Sequence, residues 1–503
     1  MPELPTVVLT ALEFMATLFV FAVGTALVLI VVLYFYDRYQ TANSVRRNYP
    51  VVGRFRTFFE HLGEFFRQYF FAMDREELPF NRAQRNWANH AADDADNTGA
   101  FGSTKNLNVE GTVMFANCMF PRLDEEAMTA SPIVFGPHAR KPYETASFFN
   151  ISAMSFGSLS KPAVRALSRG AKMAGIWLNT GEGGIAPWHL EGGCDLVFQI
   201  GTAKYGVRDE AGRLSDTKLR EIGARPEFRM IELKLSQGAK PGKGGILPAI
   251  KVTEEIAAIR GIPAGKASIS PNRHPEINSL SDLLDMINHL RDVSGLPTGF
   301  KAVIGAYAWL DEFCQQIHAR GLESAPDFIT IDGGDGGTGA APLPLMDEMG
   351  LPLRESLPMV VNKLNEYGLK GRIRVIAAGK RVTPSEVAWA LCAGADVVNS
   401  ARGFMFALGC IQAMRCNKNT CPTGVTTHDK RLQRGLDPAD KAVRVANYAR
   451  NMVKEVSIIA HSCGVSEPRQ LRRYHARIVS ANGLSLGLDE LHPEVETRPE
   501  YRV

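Results

Sequence analysis

Residues 372–403 read RIRVIAAGKRVTPSEVAWALCAGADVVNSARG, and this stretch decides the fold. Its two short apolar runs, RIRVIAAG and DVVNSARG, have the length and composition of buried strands. The apolar residues of PSEVAWALCAGA, which lies between them, recur at helical spacing. A strand, a helix and a second strand in succession predict a βαβ unit with two parallel strands.

The same alternation extends toward the amino terminus. Helical patterns such as SLSDLLDMINHLRDV separate six more apolar runs, in chain order SFFNISAM, IWLN, LVFQIG, RMIELKL, TGFKAVIG and DFITIDGG. Eight strands that alternate with helices predict an α/β fold, a (β/α)8 TIM barrel with insertions. Several runs end in Gly, Ser or Asn, and the carboxyl ends of the strands form the catalytic face of such barrels.

Composition narrows the class of function. The chain has 503 residues, is 45% hydrophobic and carries a net charge of +4. Because it has no long basic block, we expect no nucleic-acid partner. Of the eight cysteines three are clustered, and the scattered remainder favours a reducing compartment over a disulfide framework.

The amino-terminal region predicts a membrane anchor. Phe14 to Tyr36 is a run of 23 residues without a charge, long enough to cross a bilayer, and no small-residue cleavage site follows it. Arg38, Arg46 and Arg47 come after the run, whereas no Lys or Arg precedes it. The positive-inside rule therefore predicts a single-pass membrane protein whose catalytic domain is cytoplasmic.

Four segments are expected along the chain. Residues 1–40 are the transmembrane anchor, and residues 41–110 are a juxtamembrane amphipathic helix and a linker. Within the latter, the aromatic residues of 50–72 predict a helix that lies on the membrane or docks on the protein itself, and 80–110 reads as an irregular linker or wrapping segment. Residues 111–440 are the barrel with its cysteine motif, and residues 441–503 are closing helices and a loose tail.

Three cysteines stand close together in GCIQAMRCNKNTCPTG, at Cys410, Cys416 and Cys421. Three thiolates suit an iron–sulfur cluster better than a structural zinc, which normally takes four ligands. The alternative is three unrelated buried cysteines. Cys392 and Cys463 are candidates for a fourth ligand, but both read as core residues, so we expect a three-iron cluster.

Glycine-rich loops end the last three predicted strands. DGGDGGTGAAP (332–342) can form an anion nest, which makes Gly333 and Gly334 candidate cofactor contacts. AAGK (377–380) and NSARG (399–403) follow the next two strands, where barrels commonly hold phosphate. Together the loops favour a phosphate-bearing cofactor or substrate.

Three polar positions are candidates for contacts with the substrate. Lys301 lies in mid-strand and either faces an anion in the barrel mouth or points outward into solvent. Glu182, in the turn NTGEGG, either binds an ammonium group or is a solvated loop carboxylate. The loop SQGAKPGKGG (236–245) is cationic and reads as a flexible cover for an anionic ligand.

Several of these motifs, in this order, resemble the synthase domain of glutamate synthase. They are AMSFGSLS, NTGEGG, SQGAKPGKGG, ISPNRHPEI, DGGDGGTGAAPL and ALGCIQAMRCNKNTCPTGV. The whole chain is more closely similar to the short, membrane-tethered FMN-binding glutamate synthase family. The resemblance implies a barrel that binds FMN and a [3Fe–4S] cluster and reduces 2-oxoglutarate through an imine to glutamate.

The resemblance also implies roles for single residues. Those that would border or approach the flavin are Ala153, Met154, Ser155, Asn179 and Gln199. Those that would hold its phosphate are Gly379, Ser400, Arg402 and Gly403. Lys301 would lie at the pyrimidine edge of the flavin and would contact the substrate together with Glu182 and Gln237. Cys410, Cys416 and Cys421 would bind the cluster.

Two departures from the family pattern bear on the reaction. The glutamine-dependent members begin with a nucleophilic cysteine, whereas this sequence begins Met1-Pro2-Glu3, so we expect no glutaminase activity. The run AVIGAYAW after Lys301 also differs, which leaves the keto acid or amine substrate open. The alternatives are an amine or amino-acid dehydrogenase that passes electrons to a membrane carrier, and a non-enzymatic membrane redox sensor. A ferredoxin-like or quinone-linked partner is expected, and a homo-oligomer is left open.

Overall fold

The computed structural model describes residues 6–42, 44–128 and 130–502, so the first five residues of the predicted anchor lie outside the described residues. The chain divides into two compact units, residues 1–83 and residues 84–503. The first unit holds the apolar helix and the aromatic segment that follows it. The second unit holds every strand of the predicted barrel.

Eight parallel strands close into a barrel, as the sequence predicts. In chain order they are β1 (Phe149–Ile151), β2 (Leu178–Asn179), β3 (Leu196–Ile200), β4 (Phe228–Lys234), β5 (Thr298–Ala302), β6 (Phe328–Asp332), β7 (Arg374–Ala378) and β8 (Val397–Ser400). The sheet closes where β8 pairs with β1, with Val398 opposite Phe149.

Helices alternate with the strands and surround them. In the second unit they are Arg82–Ala92, Lys161–Ala174, Pro187–Leu190, Asp216–Ala224, Glu254–Arg260, Leu280–Ser294, Trp309–Arg320, Leu343–Glu348, Leu353–Glu366, Pro384–Cys392, Arg402–Ala407, Lys430–Gln433, Pro438–Ser462 and Leu488–Leu491, the first of which begins just before the boundary. The helix Arg82–Ala92 lies within the stretch that the sequence predicted to be irregular. Four of its eleven residues are alanine, the best helix former.

The amino end of the barrel is closed by an apolar cluster. A hairpin formed by Ile133–Phe135 and Tyr143–Thr145 contributes the ring of Phe135, which lies edge-on to Trp177 and Phe328 at 5.8 Å. All three rings are buried. Because this end is sealed with aromatic side chains, polar chemistry is confined to the opposite, carboxyl end of the strands.

The carboxyl-terminal segment is more ordered than the loose tail that was expected. After the helix Pro438–Ser462, strand Ala476–Val479 pairs with Val113–Phe115 on one side and with Ser485–Gly487 on the other. This small antiparallel sheet joins two parts of the chain that lie far apart in sequence.

The first unit begins with one long helix, Thr6–Tyr39, of 34 residues. Its length and apolar composition would allow it to cross a membrane, and a signal sequence near the amino terminus would meet the same criteria. Helix Ser44–Asn48 and then helix Gly53–Phe66 follow, and a π-helical turn over Arg67–Phe71 extends the latter. The predicted aromatic helix therefore forms.

Candidate functional site

One cavity opens at the carboxyl ends of the barrel strands. The space not filled by protein atoms is about 1310 Å³, which includes the part open to solvent. Its wall brings together motifs that lie far apart in sequence. The sequence-predicted residues that line it are Ala153, Met154, Ser155, Glu182, Gln199, Gln237, Lys301, Gly379, Ser400, Arg402 and Cys416.

The charge of the wall is strongly one-sided. Eight of its residues are Lys or Arg and two are Asp or Glu; the cations are Lys234, Lys240, Lys251, Arg260, Lys301, Lys380, Arg381 and Arg402. Buried cations without matching carboxylates are costly unless a ligand supplies negative charge. The cavity is therefore built to hold one or more anions.

Lys301 points into the barrel rather than outward, which answers the question that alternation along the strand left open. Its Nζ lies 3.0 Å from the Asp332 carboxylate at the end of β6. Burial alone would lower the pKa of Lys301, but the charges of Asp332 and Glu232 more than offset it and raise the pKa above its ordinary value. Lys301 is therefore a fixed positive charge in the wall.

Glu232, on β4, is a functional candidate that the sequence reasoning missed. Its buried carboxylate accepts hydrogen bonds from Asn179 Nδ2 at 2.8 Å, Gln199 Nε2 at 2.7 Å and Thr330 Oγ1 at 2.6 Å. Asn179 therefore lies behind the cavity wall, whereas Gln199 lines it. A lone carboxylate in the apolar strand RMIELKL was the signal that could have identified Glu232.

Glu182 is held in a charged network instead of standing in a solvated loop. Its carboxylate pairs with Lys234 at 2.7 Å, and Lys234 also donates to Gln237 Oε1. Gln237 Nε2 donates in turn to Thr338 Oγ1 at 3.0 Å. Burial would raise the pKa of Glu182, but the neighbouring cations, Lys234 first, lower it to about 2. Glu182 is thus an ionised carboxylate at the cavity.

Two more cations of the wall, Lys240 and Arg260, were not singled out from the sequence. Lys240 belongs to the loop that was expected to be flexible, yet it is only 3% exposed. Burial and the charge of Lys234 lower the pKa of Lys240 to about 8. Arg260 is also buried, and its guanidinium donates to Phe156 O and Ser268 Oγ, both at 3.3 Å.

The loops after β7 and β8 supply the polar groups of the predicted phosphate region. Asn399 Oδ1 is buried and has no hydrogen-bond partner among the described residues, and Asn399 lines the cavity beside Ser400 and Arg402. The helix that begins at Pro384 offers less than expected, because the Glu386 carboxylate already accepts the N–H groups of Val382 and Thr383. Side chains of the β8 loop are therefore the better candidates for phosphate ligands.

Besides Asn179, three predicted cofactor contacts lie outside the cavity wall. The N–H groups of Gly333 and Gly334 donate to Ala378 O at 3.0 Å and Leu351 O at 2.8 Å, so they shape the loop and do not form an open nest. Gly403 is packed against the Tyr448 hydroxyl, with which a Cβ would overlap. The neighbouring Gly337, Thr338 and Gly339 line the cavity instead.

The cysteine motif adjoins the cavity. Cys416 lines the wall, and Arg402 Nη1 lies 4.0 Å from its Sγ. Burial raises the pKa of Cys410; burial would also raise that of Cys421, but hydrogen bonds, the first from Thr423, bring it below its ordinary value. Within the described residues no three His, Cys, Asp or Glu side chains surround a single metal ion. A multinuclear cluster is held by thiolates that stand farther apart.

Comparison with known proteins shows which family the chain resembles. Residues 114–466 match the model of the conserved region in glutamate synthase. The glutamate synthase large subunit-like protein YerD of Bacillus subtilis is 37% identical over 508 residues, which cover 93% of this chain and 96% of that protein. The archaeal glutamate synthase [NADPH] of Methanocaldococcus jannaschii is 33% identical over 345 residues, or 69% of this chain and 63% of that one.

Among solved structures, a mandelate oxidase superposes with a TM-score of 0.44 at 14% identity over 73% of this chain and 87% of that one, a likeness too weak to carry an argument. The family is instead established by the family match and the sequence relatives. They include the barrel strands, the cationic cavity and the cysteine motif within one matched region. The chain belongs to the glutamate synthase family.

Proposed function

We propose that the protein is an FMN- and iron–sulfur-dependent oxidoreductase of the glutamate synthase type, acting on 2-oxoglutarate and glutamate or on a related imine and amine pair. The observation that carries the proposal is the cavity wall, with eight cations and two carboxylates at the catalytic end of the barrel. An anionic cofactor and a dicarboxylate would together balance that charge. Family membership favours this function over the amine dehydrogenase and the redox sensor.

FMN would fit the loops after β7 and β8. Arg402 and Lys380 would balance the phosphate charge, and Ser400 together with the Asn399 side chain would complete its polar surroundings. When bound, FMN would exchange a hydride with the substrate. Lys301 keeps a positive charge in the wall and would stabilise negative charge on the reduced ring.

The opposite part of the cavity would bind the substrate. Lys240 and Arg260 are buried cations that would hold the carboxylates of a keto or amino acid. The ionised Glu182 would attract an ammonium or iminium nitrogen, and Gln237 would orient it by a hydrogen bond. A substrate held by its carboxylates on one side and its nitrogen on the other would be fixed in one orientation.

The cysteine motif would bind the iron–sulfur cluster, most economically a [3Fe–4S] cluster. Such a cluster would carry single electrons. Cys416 supports the assignment because it belongs both to the motif and to the cavity wall, so electrons would have a short route between the two sites. The donor or acceptor would be a ferredoxin-like or quinone-linked partner.

We also infer that the helix Thr6–Tyr39 is a single-pass membrane anchor and that the catalytic unit is cytoplasmic. The support is the apolar length of the helix together with Arg38, Arg46 and Arg47 on its carboxyl-terminal side. Alkaline extraction of membranes from expressing cells tests the anchor, and protease access to intact spheroplasts tests the orientation.

The reaction is tested on purified full-length protein. Acid release and chromatography should yield FMN, and iron and sulfide analysis with paramagnetic resonance of the oxidised protein should report a three-iron cluster. Under anaerobic conditions glutamate should bleach the flavin absorbance, and 2-oxoglutarate with ammonia should restore it. FAD, or no flavin, would refute the cofactor assignment. Bleaching by simple amines but not by glutamate would show that the substrate is an amine and not glutamate.

A further inference from the structure

The segment after the apolar helix has an aromatic face that is open to solvent. It comprises helix Gly53–Phe66 and the π-helical turn Arg67–Phe71. Phe55, Phe58 and Phe59 are 55%, 58% and 60% exposed, and their rings contact one another, Phe58 to Phe59 at 5.4 Å and Phe55 to Phe59 at 6.4 Å. A contiguous exposed aromatic face marks an interaction surface.

The charges of the surrounding residues indicate which kind of partner binds the aromatic face. Residues 44–71 contain five arginines and two glutamates, with neither Lys nor Asp. On the polar side of the helix Arg56 and Glu60 pair at 2.9 Å, one turn apart. Phenylalanine on one side of helix Gly53–Phe66, with the surplus arginine in the short helix Ser44–Asn48 just before it, suits an anionic lipid surface. The rings would enter the acyl boundary and the guanidinium groups would reach the headgroups.

A buried ion pair joins this helix to the end of the apolar helix. Asp37 is fully buried, and its carboxylate accepts hydrogen bonds from Arg54 Nε at 2.8 Å, from Arg54 Nη2 at 2.7 Å and from the Val51 N–H at 3.0 Å. The Arg54 guanidinium also lies over the Tyr36 ring, 5.6 Å from its centroid. Bidentate pairing of a buried carboxylate fixes both position and orientation.

The turn between the two helices is short and tightly packed. Only residues 40–52 separate helix Thr6–Tyr39 from helix Gly53–Phe66. Val51 has a φ of 63°, and a Cβ on residue 53 would lie 3.0 Å from Val45 O, so a larger residue at position 53 would press on the backbone of the preceding helix. The aromatic helix is therefore kept beside the end of the apolar helix and is not on a free tether.

We propose that residues 53–71 form an interfacial helix that inserts its phenylalanine face into an anionic lipid surface, and that the Asp37–Arg54 pair holds it at the end of the membrane span. The inference rests on the proposed anchor, because a helix fixed this close to a spanning segment lies at the depth of the headgroups. A bilayer is thus the surface that the exposed rings meet.

The test uses the full chain in nanodiscs of phosphatidylcholine and phosphatidylglycerol. One variant carries p-benzoylphenylalanine in place of Phe59, and the matched control carries it in place of Glu60, the next residue on the same helix. After irradiation, mass spectrometry counts lipid adducts. We expect at least about tenfold more adduct at position 59 than at position 60. Equal yields, or adducts to protein alone at position 59, would overturn the proposal.

The same measurement of lipid adducts tests the Asp37–Arg54 ion pair. Arg54→Met should lower the lipid adduct at position 59 several-fold, whereas Arg56→Met, which removes a charge without touching Asp37, should leave it close to the parent value. An unchanged yield in Arg54→Met would refute the role of the pair. The intact mass of each preparation shows whether residues 6–39 are retained. If they are absent and lipid adducts persist at position 59, the anchor and the Asp37–Arg54 pair both fail, because Asp37 is lost with the anchor, and only the lipid contact of the phenylalanine face stands.

Discussion

Glu232 is the residue on which the hydrogen bonds beneath the cavity converge, and it provides the sharpest test of the site. Glu232→Met leaves all three donors without their acceptor, because a thioether sulfur accepts hydrogen bonds only weakly. We expect the apoprotein of this variant to bind FMN at least about tenfold more weakly than the parent, since an unpaired buried donor costs roughly 1–3 kcal/mol. Titration followed by flavin fluorescence measures this.

Glu221→Met is the matched control for that measurement, because Glu221 is exposed on the helix Asp216–Ala224. It should bind FMN as the parent does. If Glu232→Met also retains parental affinity, the network beneath the wall does not position Gln199, and the flavin lies elsewhere in the cavity.

Lys240 predicts a pH dependence of substrate binding. With a pKa lowered to about 8, Lys240 is charged below that pH and loses its proton as the pH rises through it. Because a carboxylate ligand favours the charged form, affinity for 2-oxoglutarate should be constant below about pH 8 and then fall by up to about tenfold per pH unit. Calorimetry from pH 6.5 to 10 checks the profile.

Two variants separate this cause from others. Lys240→Arg keeps its charge throughout that range and should give a flat profile, whereas Lys240→Met should bind weakly at every pH. A parent profile that stays flat to pH 10 would show that Lys240 does not contact the ligand.

At the scale of single residues, the sequence motifs contain many of the residues that line the cavity, but they do not indicate which of those residues are buried. Alternation along β5 left Lys301 with two possible faces, and only the pairing with Asp332, on the neighbouring strand, decides between them. Lys240 was placed in a cationic loop, but its burial depends on contacts that the loop sequence does not encode. The sequence also could not show that the Asn399 amide oxygen is buried without a hydrogen-bond partner among the described residues, because this depends on the three-dimensional surroundings of the side chain.

Among the elements, helix Lys161–Ala174 packs closely against helix Pro438–Ser462. A Cβ on Gly170 would lie 2.5 Å from Val445 Cγ1 and 2.7 Å from Ala442 O. We therefore expect Gly170→Val to destabilise the fold by about 1–3 kcal/mol, the usual cost of overpacking a core. Thermal unfolding should show a lower midpoint than the parent.

Lys172→Val introduces the same side chain on the same helix at an exposed position, so it separates packing from helix propensity. Its unfolding midpoint should stay near that of the parent. Equal destabilisation by both variants would assign the effect to the β-branched side chain in a helix and not to the contact with Val445.

The elements that sequence reasoning found and those it missed differ in how locally they are specified. Each barrel strand is a run of apolar residues flanked by a helix, and this alternation is legible along the chain. The strand Ala476–Val479 was read as tail because it is four residues long and pairs with Val113–Phe115, far away in sequence. Helix Arg82–Ala92 was read as a linker because its polar residues obscured the alanines.

Across the whole molecule, positive charge is concentrated in the cavity. Its wall has a surplus of six cations, which exceeds the net charge of +4 of the entire chain, so the rest of the protein is slightly acidic. An arrangement of this kind favours ligands by their negative charge. The apoprotein should therefore bind FMN at least about a hundredfold more tightly than riboflavin, which lacks only the phosphate, and added salt should narrow the gap.

Arg402 is the residue with which to test whether the preference for FMN over riboflavin depends on the phosphate group. Its guanidinium donates to Thr338 O at 2.6 Å, which fixes it in the wall beside Ser400. Arg402→Gln should weaken FMN binding while leaving riboflavin affinity unchanged, because the loss concerns the phosphate alone. Parallel flavin titrations of parent and variant measure both constants. Equal losses for the two ligands would mean that Arg402 supports the ring pocket or the fold, and the phosphate would then have to be held by other cations of the wall.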